Sequence, residues 1–218
     1  MPQAAIYDLD DTMVNSHPLS EFTWRPLLEK YGKNLDDFPK DQLKTFVGRR
    51  VIDIVTEFID FFDIQEDANV FYKERQKLLL DLTRSKLEMM PGLVYSLDLC
   101  KSLKLPIAIA SSGSMEYIQT VLEKFHLHHY FDVIVSGDDV TIGKPDPQVF
   151  QIACKKLGLP PKDCVVLEDA TAGVAAAKAA GCLCIAVRSP YTPVQDLGKA
   201  DVILNSLEEV TEELIHSL

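Results

Sequence analysis

Short apolar runs alternate with segments of helical periodicity from about residue 87 to the C-terminus. Several of these runs, such as residues 164–167, are apolar at every position, which is typical of strands that are buried on both faces. Strands and helices in regular alternation predict a parallel sheet that is covered by helices on both sides. We therefore predict a Rossmann-like α/β core.

The pattern divides this core into six strands and four helices, with one strand at the N-terminus and the others after the alternation begins. Gly158 and Gly181 stand where two of the helices should end. The strands are predicted at 4–9, 105–110, 131–135, 164–167, 183–187 and 201–204. The helices are predicted at 115–125, 147–157, 172–180 and 207–216.

The segment 15–86 departs from the alternation, because it has helical spacing of apolar residues but no clear strand. The clearest example is the series Val51, Ile54, Val55, Phe58, Ile59 and Phe62. We expect an all-helical insertion, a cap, directly after the first strand. The predicted organisation is an α/β core formed by residues 1–14 and 87–218, with a helical cap at 15–86.

The negative net charge of the chain limits the classes of partner that we expect. Its 218 residues include 33 acidic and 22 basic ones, which gives a formal net charge of −11. Nucleic acids and anionic membranes both attract surfaces rich in Lys and Arg, so neither is expected as a partner. An acidic protein can still bind a small phosphorylated metabolite where a metal ion or a few basic side chains lie close together.

The sequence also indicates a cytoplasmic protein. The five cysteines are odd in number and widely spread, which does not fit a disulfide framework. No apolar run approaches the roughly 18 residues of a membrane helix, and no basic stretch followed by an apolar one indicates a signal peptide. We expect a cytoplasmic monomer with reduced thiols.

Polar side chains follow four of the predicted strands at the points where these strands end. In an open parallel α/β sheet, ligands bind outside the carboxyl ends of the strands. Each group alone has an ordinary explanation as a solvated turn, a helix N-terminus or an exposed lysine. Their coincidence at one edge of a sheet favours a functional site. The groups are Asp8-Leu9-Asp10-Asp11-Thr12, Ser111-Ser112-Gly113-Ser114, Lys144 before Pro145, and Glu168-Asp169.

These residue types suit phosphoryl transfer. Asp8 is the candidate nucleophile, because a carboxylate that attacks phosphorus forms an acyl-phosphate and divides one difficult displacement into two. Asp10 lies two residues further along, on the same side, and can protonate the leaving oxygen and later deprotonate water. A hard cation must reduce the repulsion between carboxylate and phosphate, and Mg²⁺ held by Asp8, Asp169 and Glu168 meets that need.

The remaining groups are candidates for binding the phosphate. Ser111 and the backbone amides of Ser112 and Gly113 are predicted to hold the phosphoryl oxygens. Lys144 is predicted to offset the charge of those oxygens as a point cation.

In this order, the four groups resemble the four motifs of the haloacid dehalogenase superfamily. The resemblance spans the whole chain, and the helical insertion is similar to the cap that follows the first motif in the β-phosphoglucomutase-like subgroup. It implies that Asp8 is the nucleophile, that Asp10 is the general acid and base, and that Mg²⁺ is held by Asp8, the Asp10 carbonyl and Asp169. It also implies that the cap closes over the site, excludes water and selects the substrate.

Particular residues refine what the resemblance implies. Dehalogenases and phosphonatases of this superfamily lack the second aspartate, so Asp10 favours chemistry on phosphate esters. Asp11 stands where the family usually has Gly, which is expected to stiffen the turn and add a negative charge. Ser20 stands where β-phosphoglucomutases carry a His, which favours hydrolysis over phosphoryl transfer between sugars. Arg49, in the cap, is a candidate for contacting a second anionic or sugar group of the substrate.

The sequence thus predicts a Mg²⁺-dependent phosphatase that hydrolyses small phosphate monoesters, with sugar phosphates among the candidates, through an aspartyl-phosphate. Two alternatives remain open at this point. One is a β-phosphoglucomutase-like sugar phosphomutase, which uses the same intermediate. The other is a sensor that binds phosphorylated metabolites without turning them over.

Overall fold

In the computed structural model, which describes residues 1–218, six parallel strands form one sheet at the centre of the fold. The strands are β1 (Ala4–Tyr7), β2 (Ile107–Ala110), β3 (Val133–Val135), β4 (Cys164–Glu168), β5 (Leu183–Val187) and β6 (Val202–Leu204). They lie in the order β3-β2-β1-β4-β5-β6. The predicted parallel α/β fold is confirmed, and each predicted strand is present, in some cases shorter than predicted.

Nine α-helices surround or cap the sheet. Five of them belong to the alternating part of the chain, and helices are present at the predicted positions 115–125, 147–157 and 172–180. The helices are α1 (His17–Lys30), α2 (Lys40–Leu43), α3 (Val51–Phe62), α4 (Ala68–Lys86), α5 (Leu93–Ser102), α6 (Met115–Phe125), α7 (Gln148–Leu157), α8 (Thr171–Ala180) and α9 (Glu212–Ser217). No helix combines the length and the apolar character that a membrane crossing requires.

The prediction of a single helix at 207–216 is wrong. The chain forms a 3₁₀ turn at Leu207–Glu209 and then starts a separate helix, α9. The side chain of Thr211 accepts a hydrogen bond from the Leu214 amide and so caps the new helix. A capping residue in the middle of an apparently continuous helical pattern is the physical reason for the break.

The sheet is buried on both faces, as its fully apolar strands require. On β1, Ala5 and Tyr7 belong to one hydrophobic cluster, and Ala4 and Ile6 belong to a second cluster on the opposite face. Because successive side chains of a strand point to opposite faces, this one strand contributes to both layers of the core. β1 is therefore held rigidly at the centre of the molecule, between β2 and β4.

Helices α1 to α4 lie in the segment that the sequence assigns to the cap, and they pack around a hydrophobic core of their own. This core is rich in aromatic rings, among which Phe58 contacts Trp24 and Phe38 edge to face at centroid distances of 4.8 Å. The C-terminal half of α4 extends beyond this core, because Leu79 and Leu80 belong to the cluster on the face of the sheet that contains Ala5 and Tyr7. Helix α4 thus joins the core of the cap to one of the two clusters that cover the sheet.

Three side-chain hydrogen bonds hold the cap against the edge of the sheet. Ser112 Oγ donates to the carbonyl of Gly48 at 2.7 Å, and Gln76 Nε2 donates to Ser114 Oγ at 2.6 Å. Arg50 Nη1 donates to the carbonyl of Val140 at 3.0 Å. The structure therefore has the cap closed over the carboxyl ends of the strands.

Candidate active site

The strand order places a crevice between β1 and β4. The chain moves outward from β1 through β2 to β3 and then returns to continue from β4 on the other side, so the order reverses between β1 and β4. Such a reversal leaves a crevice at the carboxyl ends of the two strands, and ligands bind there in open α/β sheets. The amide of Asp8 donates to the carbonyl of Leu167 at 3.0 Å, which fixes the end of β1 beside the end of β4.

A buried ion-pair network occupies this crevice. Lys144 Nζ donates to Asp8 Oδ1 at 2.5 Å and to Glu168 Oε1 at 2.8 Å. The side chains of Lys144, Asp8 and Glu168 are 1%, 6% and 0% exposed. Charged groups this deeply buried are tolerated only when they are paired and hydrogen-bonded. The network therefore fixes the Asp8 carboxylate in one position with an ammonium group against it.

Both carboxylate oxygens of Glu168 accept hydrogen bonds inside the protein. Its Oε2 accepts hydrogen bonds from the backbone amides of Asp169 and Ala170, both at 2.7 Å, while its Oε1 accepts from Lys144. Gly173 lies so close to this carboxylate that a Cβ atom at that position would overlap it. Both oxygens are thus engaged inside the protein, which argues against Glu168 as a metal ligand and makes it the anchor of Lys144.

The site carries more negative charge than its one ammonium group offsets. Burial raises the pKa of Asp8 well above its usual value, and the charges of Glu168 and Asp10 add to this effect against the opposing influence of Lys144. Burial lowers the pKa of Lys144, but the two carboxylates outweigh it and raise that pKa overall. Burial likewise raises the pKa of Asp169, with further contributions from neighbouring carboxylates. An additional cation would relieve all of these carboxyl groups.

Asp169 has an unused carboxylate oxygen that is available to such a cation. Its Oδ1 accepts a hydrogen bond from Thr12 Oγ1 at 3.3 Å, but its Oδ2 is buried and has no partner in the protein. No three His, Cys, Asp or Glu side chains form a ready-made metal cluster. Mg²⁺ does not require one, since it binds through one or two carboxylates together with water and phosphate oxygens. Asp8 and Asp169 therefore fit a Mg²⁺ ion.

Asp10 is oriented by a residue that the sequence did not single out. The hydroxyl of Tyr117, on α6, donates to Asp10 Oδ1 at 2.8 Å. Tyr117 is buried, and burial together with the Asp10 charge raises its pKa, so it remains a hydrogen-bond donor at neutral pH. Asp10 is only partly buried and lies in the wall of a cavity. Its carboxylate is thus held in place yet accessible to a ligand.

The residues after β2 are at the crevice, but they are partly engaged with each other. Ser111 is fully buried, and its Oγ accepts from the Gly113 amide at 3.0 Å. The Gly113 amide is therefore engaged in this structure, and its part in phosphate binding remains a prediction. The Ser112 amide donates no hydrogen bond within the protein, and both Ser112 and Gly113 line the cavity. Ser112 is the better placed of the two to donate to a phosphoryl oxygen.

Asp11 has the conformation that explains why Gly is usual at its position. Its φ of 58° lies in the left-handed region, which an Asp adopts more readily than most residues. Its Oδ1 accepts from the amide of His17 at 3.0 Å and thus supports the start of α1. Burial raises the pKa of Asp11 to about 7, with the Asp10 charge adding to the effect. The Asp11 carboxyl group is therefore only partly ionised at neutral pH.

A cavity of about 330 Å³ lies between the cap and the edge of the sheet. Asp8 and Asp10 line it from the core, and Arg49 lines it from the cap. Arg49 also forms an ion pair with Glu57, so its predicted contact with substrate remains a prediction. Other residues in this wall were not identified from the sequence, and they include His17, Glu21, Trp24, Arg75, Gln76 and Tyr117. A polar Arg75 at helical spacing between the buried Phe71 and Leu79 was the signal that could have revealed one of them.

Known proteins resemble this chain over nearly its whole length. The family model for haloacid dehalogenase-like hydrolases matches residues 5–187. Hexitol phosphatase A from Escherichia coli (strain K12) is 31% identical over 207 residues, which cover 94% of this chain and 92% of the relative. Validoxylamine A 7'-phosphate phosphatase from Streptomyces hygroscopicus subsp. limoneus is 29% identical over 211 residues, which cover 96% of each protein.

Solved structures show the same fold. The crystal structure of β-phosphoglucomutase from Clostridium difficile superposes with a TM-score of 0.86 at 23% sequence identity, covering 100% of this chain and 96% of that one. The family match contains all four of the strand-end groups, from Asp8 to Asp169. Fold, crevice and motif order agree with this match, and the chain belongs to the haloacid dehalogenase-like hydrolase family.

Proposed function

We propose that this protein is a Mg²⁺-dependent phosphatase that hydrolyses small phosphate monoesters, with sugar phosphates among the candidates, through an aspartyl-phosphate on Asp8. The observation that carries the proposal is the buried Asp8 carboxylate, fixed by Lys144 in a crevice where Asp10 lies beside it. The two sequence relatives named above are phosphatases, which supports hydrolysis as the reaction.

In the first step, an Asp8 oxygen attacks phosphorus while the bond from phosphorus to the ester oxygen breaks. Asp10 gives its proton to the departing oxygen, so that an alcohol leaves rather than an alkoxide. The Tyr117 hydroxyl keeps the Asp10 carboxyl group pointed at that oxygen. The charge of Lys144 stabilises the phosphoryl group as it is transferred.

In the second step, Asp10 takes a proton from water, and the water oxygen attacks phosphorus of the acyl-phosphate. The bond between phosphorus and Asp8 breaks, which releases inorganic phosphate and restores both carboxyl groups to their starting states. A bound Mg²⁺ supplies positive charge that reduces the repulsion between Asp8 and the phosphate. The closed cap limits the access of other water molecules to the site.

Release of inorganic phosphate from p-nitrophenyl phosphate tests this proposal. We expect turnover with Mg²⁺, complete loss of turnover with EDTA, and recovery when Mg²⁺ is restored, because Asp8 and Asp169 would hold an ion whose charge offsets their repulsion of the phosphate. Binding of phosphate esters without turnover would contradict the proposal and favour a sensor. Turnover that depends on a bisphosphorylated sugar, without net release of phosphate, would favour the phosphomutase.

A second prediction separates the two tasks of Asp10. In Asp10→Asn, we expect turnover of alkyl phosphates to fall about 10²- to 10⁴-fold, because the alkoxide then leaves unprotonated. p-Nitrophenolate leaves without a proton, so the variant should release one equivalent rapidly and then stall for lack of a base. Stopped-flow absorbance measures that burst.

Asp98→Asn is the matched control, since Asp98 also accepts a tyrosine hydroxyl, that of Tyr130 at 2.7 Å, but lies away from the site. It should behave as the wild type. Equal losses on both substrates, with no burst in Asp10→Asn, would contradict the acid and base roles of Asp10.

A further inference from the structure

Arg75 is a buried arginine whose hydrogen-bonding capacity is mostly unused. It lies on α4 in the wall of the cavity and is 1% exposed. Its Nη2 donates to Ser20 Oγ at 2.6 Å and to the Ser20 carbonyl at 3.3 Å, and its guanidinium carbon lies 3.9 Å from the centre of the Trp24 ring. Its Nε and Nη1 are buried and have no partner in the protein.

Packing of the cap does not account for these free donors. The contacts with Trp24 and Ser20 explain one face and one nitrogen of the guanidinium group, and they connect α4 to α1. A buried N–H without an acceptor costs about 1–3 kcal/mol, more where the group is charged. Arg75 forms no ion pair either, since every salt bridge of the chain involves other residues. The guanidinium group therefore forms no salt bridge, and its Nε and Nη1 donors have no acceptor inside the protein.

The surroundings of Arg75 indicate the charge of the missing partner. Burial lowers the pKa of Arg75 to about 10, so the side chain remains a cation at neutral pH. The cap contributes five charged side chains to the cavity wall, of which only Glu21 is an anion. The four cations are Lys40, Lys44, Arg49 and Arg75. Lys44 and Arg49 have carboxylate partners, Asp41 and Glu57, that lie outside the cavity wall.

The position of Arg75 indicates which part of the substrate it faces. Arg75 and Asp10 line the same cavity, Arg75 from the cap and Asp10 from the edge of the sheet, and the negative charge of Asp10 raises the pKa of Arg75. Asp10 is the residue that protonates the departing oxygen in the proposed function. A cation in the cap wall of this cavity therefore faces the space between Asp10 and the cap, which in the proposed function holds the departing alcohol of the substrate.

We propose that Arg75 binds an oxyanion carried by the departing alcohol of the substrate, a carboxylate or a second phosphate, through its free Nε and Nη1 donors. The inference rests on the proposed phosphatase function and adds a substrate class to it: phosphate monoesters with a second negative charge. A guanidinium group is well suited to this, because its donors match the geometry of carboxylates and phosphates.

The test compares phosphate monoesters that lack a second anionic group with related compounds that carry one. Glycerol 3-phosphate and 3-phosphoglycerate form the carboxylate pair, and fructose 1-phosphate and fructose 1,6-bisphosphate form the phosphate pair. In one of the two pairs, we expect kcat/KM to be at least about tenfold higher for the member with the second anionic group. The pair that shows this preference identifies the oxyanion as a carboxylate or a phosphate. In Arg75→Gln that preference should disappear, mainly through KM. Arg84→Gln, the same change on the same helix at an exposed residue, should retain it.

If Arg75→Gln does not fold, Arg75→Lys and the wild type still test the role of Arg75. Arg75→Lys retains the charge and should retain part of the preference. An equal kcat/KM for both members of both pairs in the wild type would overturn the inference, as would a preference that persists in Arg75→Gln. p-Nitrophenyl phosphate has no second anionic group, so its hydrolysis does not depend on the proposed role of Arg75. If the protein does not hydrolyse it, the proposed phosphatase function is wrong. If the protein hydrolyses it but shows no preference for a second charge, only the role of Arg75 is wrong.

Discussion

Asp8→Asn should lower phosphate release by about 10⁴-fold or more, the largest effect expected of any single substitution on activity. Asn has the shape of Asp but no carboxylate oxygen able to form an acyl-phosphate, so the two-step route is closed. Lys144 keeps Glu168 as a partner in the variant, so the fold should be retained. Steady-state release of phosphate with Mg²⁺, together with thermal unfolding, measures both expectations.

Asp8→Asn should also affect the stability of the folded protein. Burial and the neighbouring carboxylates raise the pKa of Asp8 in the folded protein despite Lys144, so the ionised carboxylate is destabilising in the absence of a metal ion. In EDTA, Asp8→Asn should therefore be at least as stable as the wild type. A variant that folds normally and keeps more than about one hundredth of the activity would contradict the nucleophilic role of Asp8.

Lys144→Met should have the largest effect on stability. The substitution leaves the Asp8 and Glu168 carboxylates buried without their common ammonium partner, and loss of one member of a buried ion pair costs about 3–5 kcal/mol. Urea unfolding in EDTA measures this loss. Activity should be lost in the same variant, because Asp8 is no longer held in position.

The effect of Lys144→Met should depend on pH in a definite direction. Without the ammonium group, the pKa of Asp8 in the folded protein lies even further above its value in the unfolded chain. A carboxyl group with a raised folded-state pKa loses stability as pH increases. The loss should therefore be larger at pH 8 than at pH 5. Lys101→Met is the control, since it removes an exposed pair with Asp132 at 3.3 Å and should cost less than about 1 kcal/mol. Equal stability of the two variants would contradict the ion-pair network.

The sheet was predictable because its strands are apolar on both faces and its helices have regular periodicity. Helix α5 was not predicted, although its buried residues Leu93, Leu97 and Cys100 have helical spacing. It directly follows the cap, where the pattern changes from purely helical to alternating. The start of α9 was missed because a cap residue such as Thr211 acts through one hydrogen bond, which hydrophobic periodicity does not report.

The candidate site was predictable as far as the topology determines it. Asp8, Lys144 and Asp169 follow strands whose carboxyl ends must meet at one edge, so their proximity follows from a parallel sheet. The partners of Glu168 were not predictable, because they depend on which way a buried side chain turns. Arg75 and Tyr117 reach the site from α4 and α6, and their positions depend on how the cap packs and how α6 is oriented, which strand order alone does not determine.

The most direct test of the account is detection of the phosphorylated Asp8 side chain. The Asp10→Asn variant, mixed with p-nitrophenyl phosphate and Mg²⁺ and quenched in acid within the burst, should yield one phosphoryl group per protein, which peptide mass spectrometry places on Asp8. The wild type should show a smaller amount, and Asp8→Asn none. Release of p-nitrophenolate without any phosphorylated peptide, or a phosphoryl group on another residue, would contradict the central claim that Asp8 is the nucleophile.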